Sequence, residues 1–112
     1  MPQHKVITER VGFTIPSVVL RQADTMFEAR NEYRSELILR IMRAYTAGLW
    51  EPKPTTKLPT EGKPVKVQLR LRPQDLTPYR DKCTRESLPI SFPVAHGLWI
   101  YAHEADPAKL PF

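Results

Sequence analysis

Cysteine is almost missing: Cys83 is the only one in 112 residues. An internal disulfide cannot form, and a cysteine-rich metal cage is excluded. Long apolar runs are missing as well, which excludes a helix able to span a membrane. The opening Met1-Pro2-Gln3-His4-Lys5 has no apolar signal core, so the chain is expected to stay in the cytoplasm. Glycine is scarce, at four residues, and none sits in a phosphate-cradling loop. No serine or cysteine occupies a recognisable nucleophile elbow. His96 and His103 lie two helical turns apart, wider than the usual helical metal-ligand pair. No catalytic residues, metal or cofactor are expected, and the chain is not expected to be an enzyme.

Proline and positive charge are abundant instead. Lys plus Arg number 17 against 12 Asp plus Glu, a formal net charge of +5, with a pI near 9.6. That balance favours an anionic partner. Several of the twelve prolines fall between Trp50 and Pro64, in WEPKPTTKLPTEGKP. Prolines this dense remove backbone donors and favour extended geometry. The chain therefore divides into residues 1–48, a linker over 49–64, and residues 65–112. Fully extended, such a linker could reach roughly 50 Å.

Before the linker, Val11, Phe13 and Ile15 alternate with Arg10, Gly12 and Thr14, the period of a half-buried strand. Val19, Leu20, Ala23, Met26 and Phe27 then recur at helical spacing, predicting a helix over 17–30 that Asn31 ends. A second helix over 34–47 carries Leu37, Ile38, Ile41, Met42 and Tyr45 on one side, and Gly48 ends it. After the linker, Val65, Val67, Leu69 and Leu71 alternate with Lys66, Gln68, Arg70 and Arg72, the clearest strand signal in the chain. Pro78 argues for a short helix over 78–86, capped by Thr77. A last helix over 92–104, capped by Ser91, would turn Val94, Ala95, Leu98, Tyr101 and Ala102 inward. Cys83 falls among core positions and is expected to be a buried core residue. Trp50 and Trp99 are expected to be core or linker-docking residues.

Both segments thus read strand, helix, turn, helix. A shift of 56 positions aligns them without a gap and sets Ile15 on Leu71, Leu20 on Leu76, Phe27 on Cys83, Ser35 on Ser91 and Tyr45 on Tyr101. One strand with two helices cannot satisfy its own edges or cover its apolar face. Two such units in one chain can pair their strands into an antiparallel ribbon, with four helices beneath it. The fold class expected is α+β, mostly helical.

FTIP, VVLRQADTMF and NEYRSELILRIMRAY, with RSELI as the most specific stretch, make the first segment resemble a ribbon-helix-helix protein of the MetJ/Arc/CopG superfamily. VQLRLRP, DLTPYRDKC and SLPIS make the second resemble a diverged copy, which departs at Pro78 and Pro93 and has no RSEL equivalent. The resemblance implies two ribbon-helix-helix repeats folded as a monomeric pseudo-dimer that oligomerises, if at all, on DNA. It implies a two-stranded ribbon that enters the major groove of double-stranded DNA. Related proteins regulate transcription or assist plasmid DNA transfer and processing.

In such a ribbon the outward residues would be Arg10, Gly12 and Thr14 from one strand and Lys66, Gln68 and Arg70 from the other. Arg and Lys can donate to guanine O6 and N7, Gln can bridge adenine N6 and N7, and Thr can touch a thymine methyl. The two strands differ, so an asymmetric subsite follows, with more base contacts from the second strand. Alternating Lys and Arg is also the ordinary solvated face of a half-buried sheet. Phosphate contacts are expected at the starts of the last helix of each copy, where free N–H groups attract anions. Arg34 and Ser35 would add donors in the first copy and Ser91 in the second, with Arg72 and Lys5 as further backbone contacts. Two rival readings are an intermolecular homodimer built on the first copy and a protein-interaction module such as an antitoxin.

Overall fold

The computed structural model describes residues 7–53 and 55–112; Lys5 and Pro54 lie outside the described residues. The fold is α+β and mostly helical: a two-stranded antiparallel sheet over four helices. In chain order the elements are β1 (Glu9–Ile15), α1 (Ser17–Arg30), α2 (Arg34–Thr46), β2 (Val65–Leu71), α3 (Pro73–Arg85) and α4 (Ser91–His103). A short 3-10 turn follows at Pro107–Lys109. None of the helices is long and apolar enough to cross a membrane.

Alternation decides the strands. Val11, Phe13, Ile15, Val67 and Leu71 turn into the core, while Arg10, Thr14, Lys66, Gln68 and Arg70 are exposed. β1 and β2 pair in the register Arg10 opposite Arg70, Gly12 opposite Gln68, and Thr14 opposite Lys66. Leu69 is only half-buried, and Val65, at the start of β2, is 39% exposed. The inward face is therefore best covered on the β1 side, where α4 packs against the strand.

α1 begins directly after Pro16 and buries Val19, Leu20, Ala23 and Phe27. It stops at Asn31, whose backbone is left-handed (φ 53°, ψ 47°). The Asn31 and Glu32 N–H groups close back onto Glu28 and Phe27 carbonyls, so the final carbonyls keep partners. α2 buries Leu37, Ile38, Ile41, Met42, Ala44 and Tyr45. Gly48, at φ 74°, lets the chain leave that helix.

The second half corrects the helix bounds expected from sequence. α3 starts at Pro73, not at Pro78, and Thr77 is not its cap. Pro73 occupies the first turn, where its missing N–H costs nothing. Pro78 then sits inside the helix and leaves the Gln74 carbonyl without an intrahelical donor. Both residues are exposed, so water reaches that carbonyl, and burial of Leu76, Tyr79 and Cys83 carries the helix through. Ser91 is the first residue of α4, not its cap; Ile90 holds that position. Ala102, expected inward, is half-exposed near the helix end. α4 is buried almost all round, at Pro93, Val94, Ala95, His96, Gly97, Leu98 and Tyr101. It packs on α1, α2 and β1 at once.

The described residues of the 49–64 segment include several that dock on this body. Trp50 is buried and meets the rings of Tyr45 and Phe112 edge-on. Pro52 is buried, and Leu58 packs against the core. Ser17 Oγ donates to the Glu61 carbonyl at 3.1 Å, and His96 Nε2 lies 3.4 Å from the Thr56 carbonyl. Trp99 is half-buried, with its ring against His103.

Candidate nucleic-acid interface

The β1–β2 ribbon brings Arg10, Gly12, Thr14, Lys66, Gln68 and Arg70 onto one outward face. Thr14 donates its backbone N–H to Ser91 Oγ at 2.8 Å. That N–H points off the sheet edge, so Thr14–Lys66 is a non-hydrogen-bonded pair. Strand alternation makes Gly12–Gln68 and Arg10–Arg70 pairs of the same close kind. Gly12 adds no side chain, and the space over it is taken: a Cβ there would collide with Lys66 Cε. The Lys66 stem thus leans diagonally across the middle of the ribbon.

Ion pairs hold four arginines of the helices and none of the outward ribbon cations. Arg34 reaches Asp24 at 2.6 Å, Arg40 reaches Glu32 at 3.2 Å and Arg43 reaches Asp75 at 2.8 Å. Asp75 also raises the Arg43 pKa, chiefly by accepting its hydrogen bonds. These helical cations are neutralised locally. Among the described residues no such ion pair involves Arg10, Lys66, Arg70 or Arg72. Glu9, the carboxylate of the ribbon, is held by Arg80 at 2.6 Å. The outer face of the sheet is therefore a strip of cations without internal counter-charge; among the described residues Arg21, Lys57, Arg85 and Lys109 are likewise exposed and in no such ion pair.

The expected phosphate donors are placed unevenly. Ser91 stands at the ribbon edge beside Thr14 and brings the start of α4 to the outer face. Its oxygen accepts from Thr14, which leaves its own O–H free to donate. Ser35 is exposed on the first turn of α2. Arg34 is turned aside: its Nε and Nη2 donate to the two carboxylate oxygens of Asp24. Arg72 sits just past β2, in the capping position of α3. The Arg34–Asp24 and Arg80–Glu9 pairs were not visible from sequence. Each joins residues on different elements, and no periodicity encodes which carboxylate a given arginine meets.

Away from the ribbon, Cys83 is buried beside Tyr79 and Tyr45, and burial raises its thiol pKa. Such a thiol is a core group and a poor nucleophile. The described residues contain no cluster of three or more metal-ligating side chains. No family model, curated protein or solved structure matches this chain.

Proposed function

We propose that this chain is a tandem ribbon-helix-helix protein that binds double-stranded DNA sequence-specifically. It lays the β1–β2 ribbon in the major groove and serves as a transcriptional regulator or as an accessory factor in plasmid DNA transfer. The observation that carries the reading is the unpaired cationic strip of Arg10, Lys66 and Arg70, with Gln68 and Thr14 between the cations. A two-stranded ribbon fits a groove roughly 12 Å wide. Cations that face one another without carboxylates suit a polyanion better than they suit the isolated fold.

The tandem part of the reading is supported by a two-fold relation within the chain. With a shift of 56, Gly12 corresponds to Gln68, and those two residues face each other across the strands. Ile41 corresponds to Gly97, and those two meet where α2 crosses α4: a Cβ on Gly97 would come within 2.5 Å of Ile41 Cγ2. A two-fold axis through both points is what a pseudo-dimer requires. The helix partners obey it too, since α1 packs on α4 as α3 packs on α2. The Ile41–Gly97 contact favours one chain over two. A homodimer of the first half would bring Ile41 against Ile41 at that crossing, where the space admits one large side chain and one hydrogen.

Fluorescence anisotropy with a labelled duplex, at several salt concentrations and with unlabelled competitors, tests this. Binding that weakens steeply with salt and tightens on a selected sequence is expected, from a protein that light scattering reports as monomeric when free of DNA. Capture of one protein partner, with no duplex preference, would shift the reading to an interaction module.

A further inference from the structure

We infer that the duplex read by this ribbon is non-palindromic and demands guanine most strongly at one end, the end where Arg10 faces Arg70. The inference rests on the ribbon being a DNA-reading surface and adds what that surface selects. Arg10 and Arg70 are directly opposed in a close, non-hydrogen-bonded pair, and like charges so placed oppose folding. With Gln68 and Leu69 they line a recess of about 290 Å³. Glu9, which pairs with Leu71 at this same end, is neutralised by Arg80. An acceptor-rich group entering the recess therefore meets two free guanidinium forks and no opposing carboxylate.

The guanine edge in the major groove offers two acceptors, N7 and O6, which an arginine fork engages together; adenine offers one acceptor and one donor. Phosphate oxygens present the same acceptor chemistry. Toward the middle, Gln68 stands opposite Gly12, so a single amide reads the centre and suits adenine N6 and N7. The other end is different. Thr14 faces Lys66, whose stem runs back over Gly12, and no second guanidinium is present. A symmetric ribbon would carry the same pair at both ends; this one carries two arginines at one end and none at the other.

Selection from a pool of random duplexes, followed by sequencing, tests the inference on the full chain and on Arg10→Ala, Arg70→Ala and Arg70→Lys. All three substitutions are at exposed positions and should leave the fold intact. The wild type should enrich a one-sided motif whose strongest G·C requirement lies in one half. Either alanine variant should lose roughly 5- to 150-fold of the preference at that end and leave the other positions unchanged. Arg70→Lys keeps the charge but not the fork, so it should lose that preference while retaining non-specific affinity. A palindromic motif, or a G·C preference intact in both alanine variants, would overturn the inference. So would equal weakening on every duplex with a smaller salt dependence, which assigns the guanidiniums to phosphate. If the wild type enriches no motif at all, the DNA reading fails and this inference with it.

Discussion

Tyr45, Tyr79, Tyr101 and Cys83 set how the molecule responds to alkali. Burial is the main cause raising all four pKa values; Glu86 adds to it for Tyr45 and Glu32 for Tyr101, each by accepting the phenol's hydrogen bond. In an unfolded chain the thiol ionises near about 8.5 and the phenols near about 10. Above those values the unfolded state releases protons that the folded state keeps. These four groups therefore cost no stability below about pH 8.5, and stability is lost progressively as the pH rises through and beyond about 10. Urea midpoints measured near neutrality and in mild alkali should show this fall; a midpoint that holds or rises would contradict the assigned burial. Gly97 tests packing at the same scale. Gly97→Ala should cost about 1–3 kcal/mol by overpacking against Ile41, despite the better helix propensity of alanine. In an Ile41→Ala background the same change should be neutral or stabilising. Thermal denaturation of the four proteins reads the coupling. Additive effects would mean that Gly97 and Ile41 do not meet.

At the scale of elements, the strands were legible because one buried face forces a period of two, and VKVQLRL shows it plainly. α1 and α2 were legible from apolar spacing and from the Asn31 and Gly48 exits. α3 was misread from its proline: an interior Pro78 usually ends a helix, but here the affected carbonyl faces water and three buried side chains outweigh the lost bond. Pro78→Ala should accordingly raise stability, by about 1–3 kcal/mol, as the Gln74 carbonyl regains its donor. Chemical denaturation decides it; a loss of stability would mean that the helix begins at Pro78 after all. α4 was blurred for a different reason. It is surrounded by α1, α2, β1 and the linker, so it has no polar face to mark a period. Ser91 was read as a cap, yet it satisfies the Thr14 N–H at the sheet edge, a contact between residues far apart in sequence. The six outward ribbon residues were all placed by parity alone, whereas the absence of ion pairs to Arg10, Lys66 and Arg70 required the fold.

For the whole molecule, the proposed function rests on two unequal halves of one chain. They present an uncompensated cationic ribbon on one side and interlock through α2 and α4 on the other. The linker lies along the body, with Trp50 and Leu58 docked and Glu61 tied to Ser17, so the two halves are joined by packing as well as by covalent tether. On the proposed function DNA should approach the ribbon, with the start of α4 touched at its edge. Titration of a selected duplex into isotope-labelled protein, followed by backbone amide shifts in NMR, tests this most directly. The largest changes should fall on residues 9–15, 65–72 and the first turn of α4, with α1 and α3 little affected. Changes concentrated on the helical faces, or none at concentrations where binding is independently seen, would contradict the account.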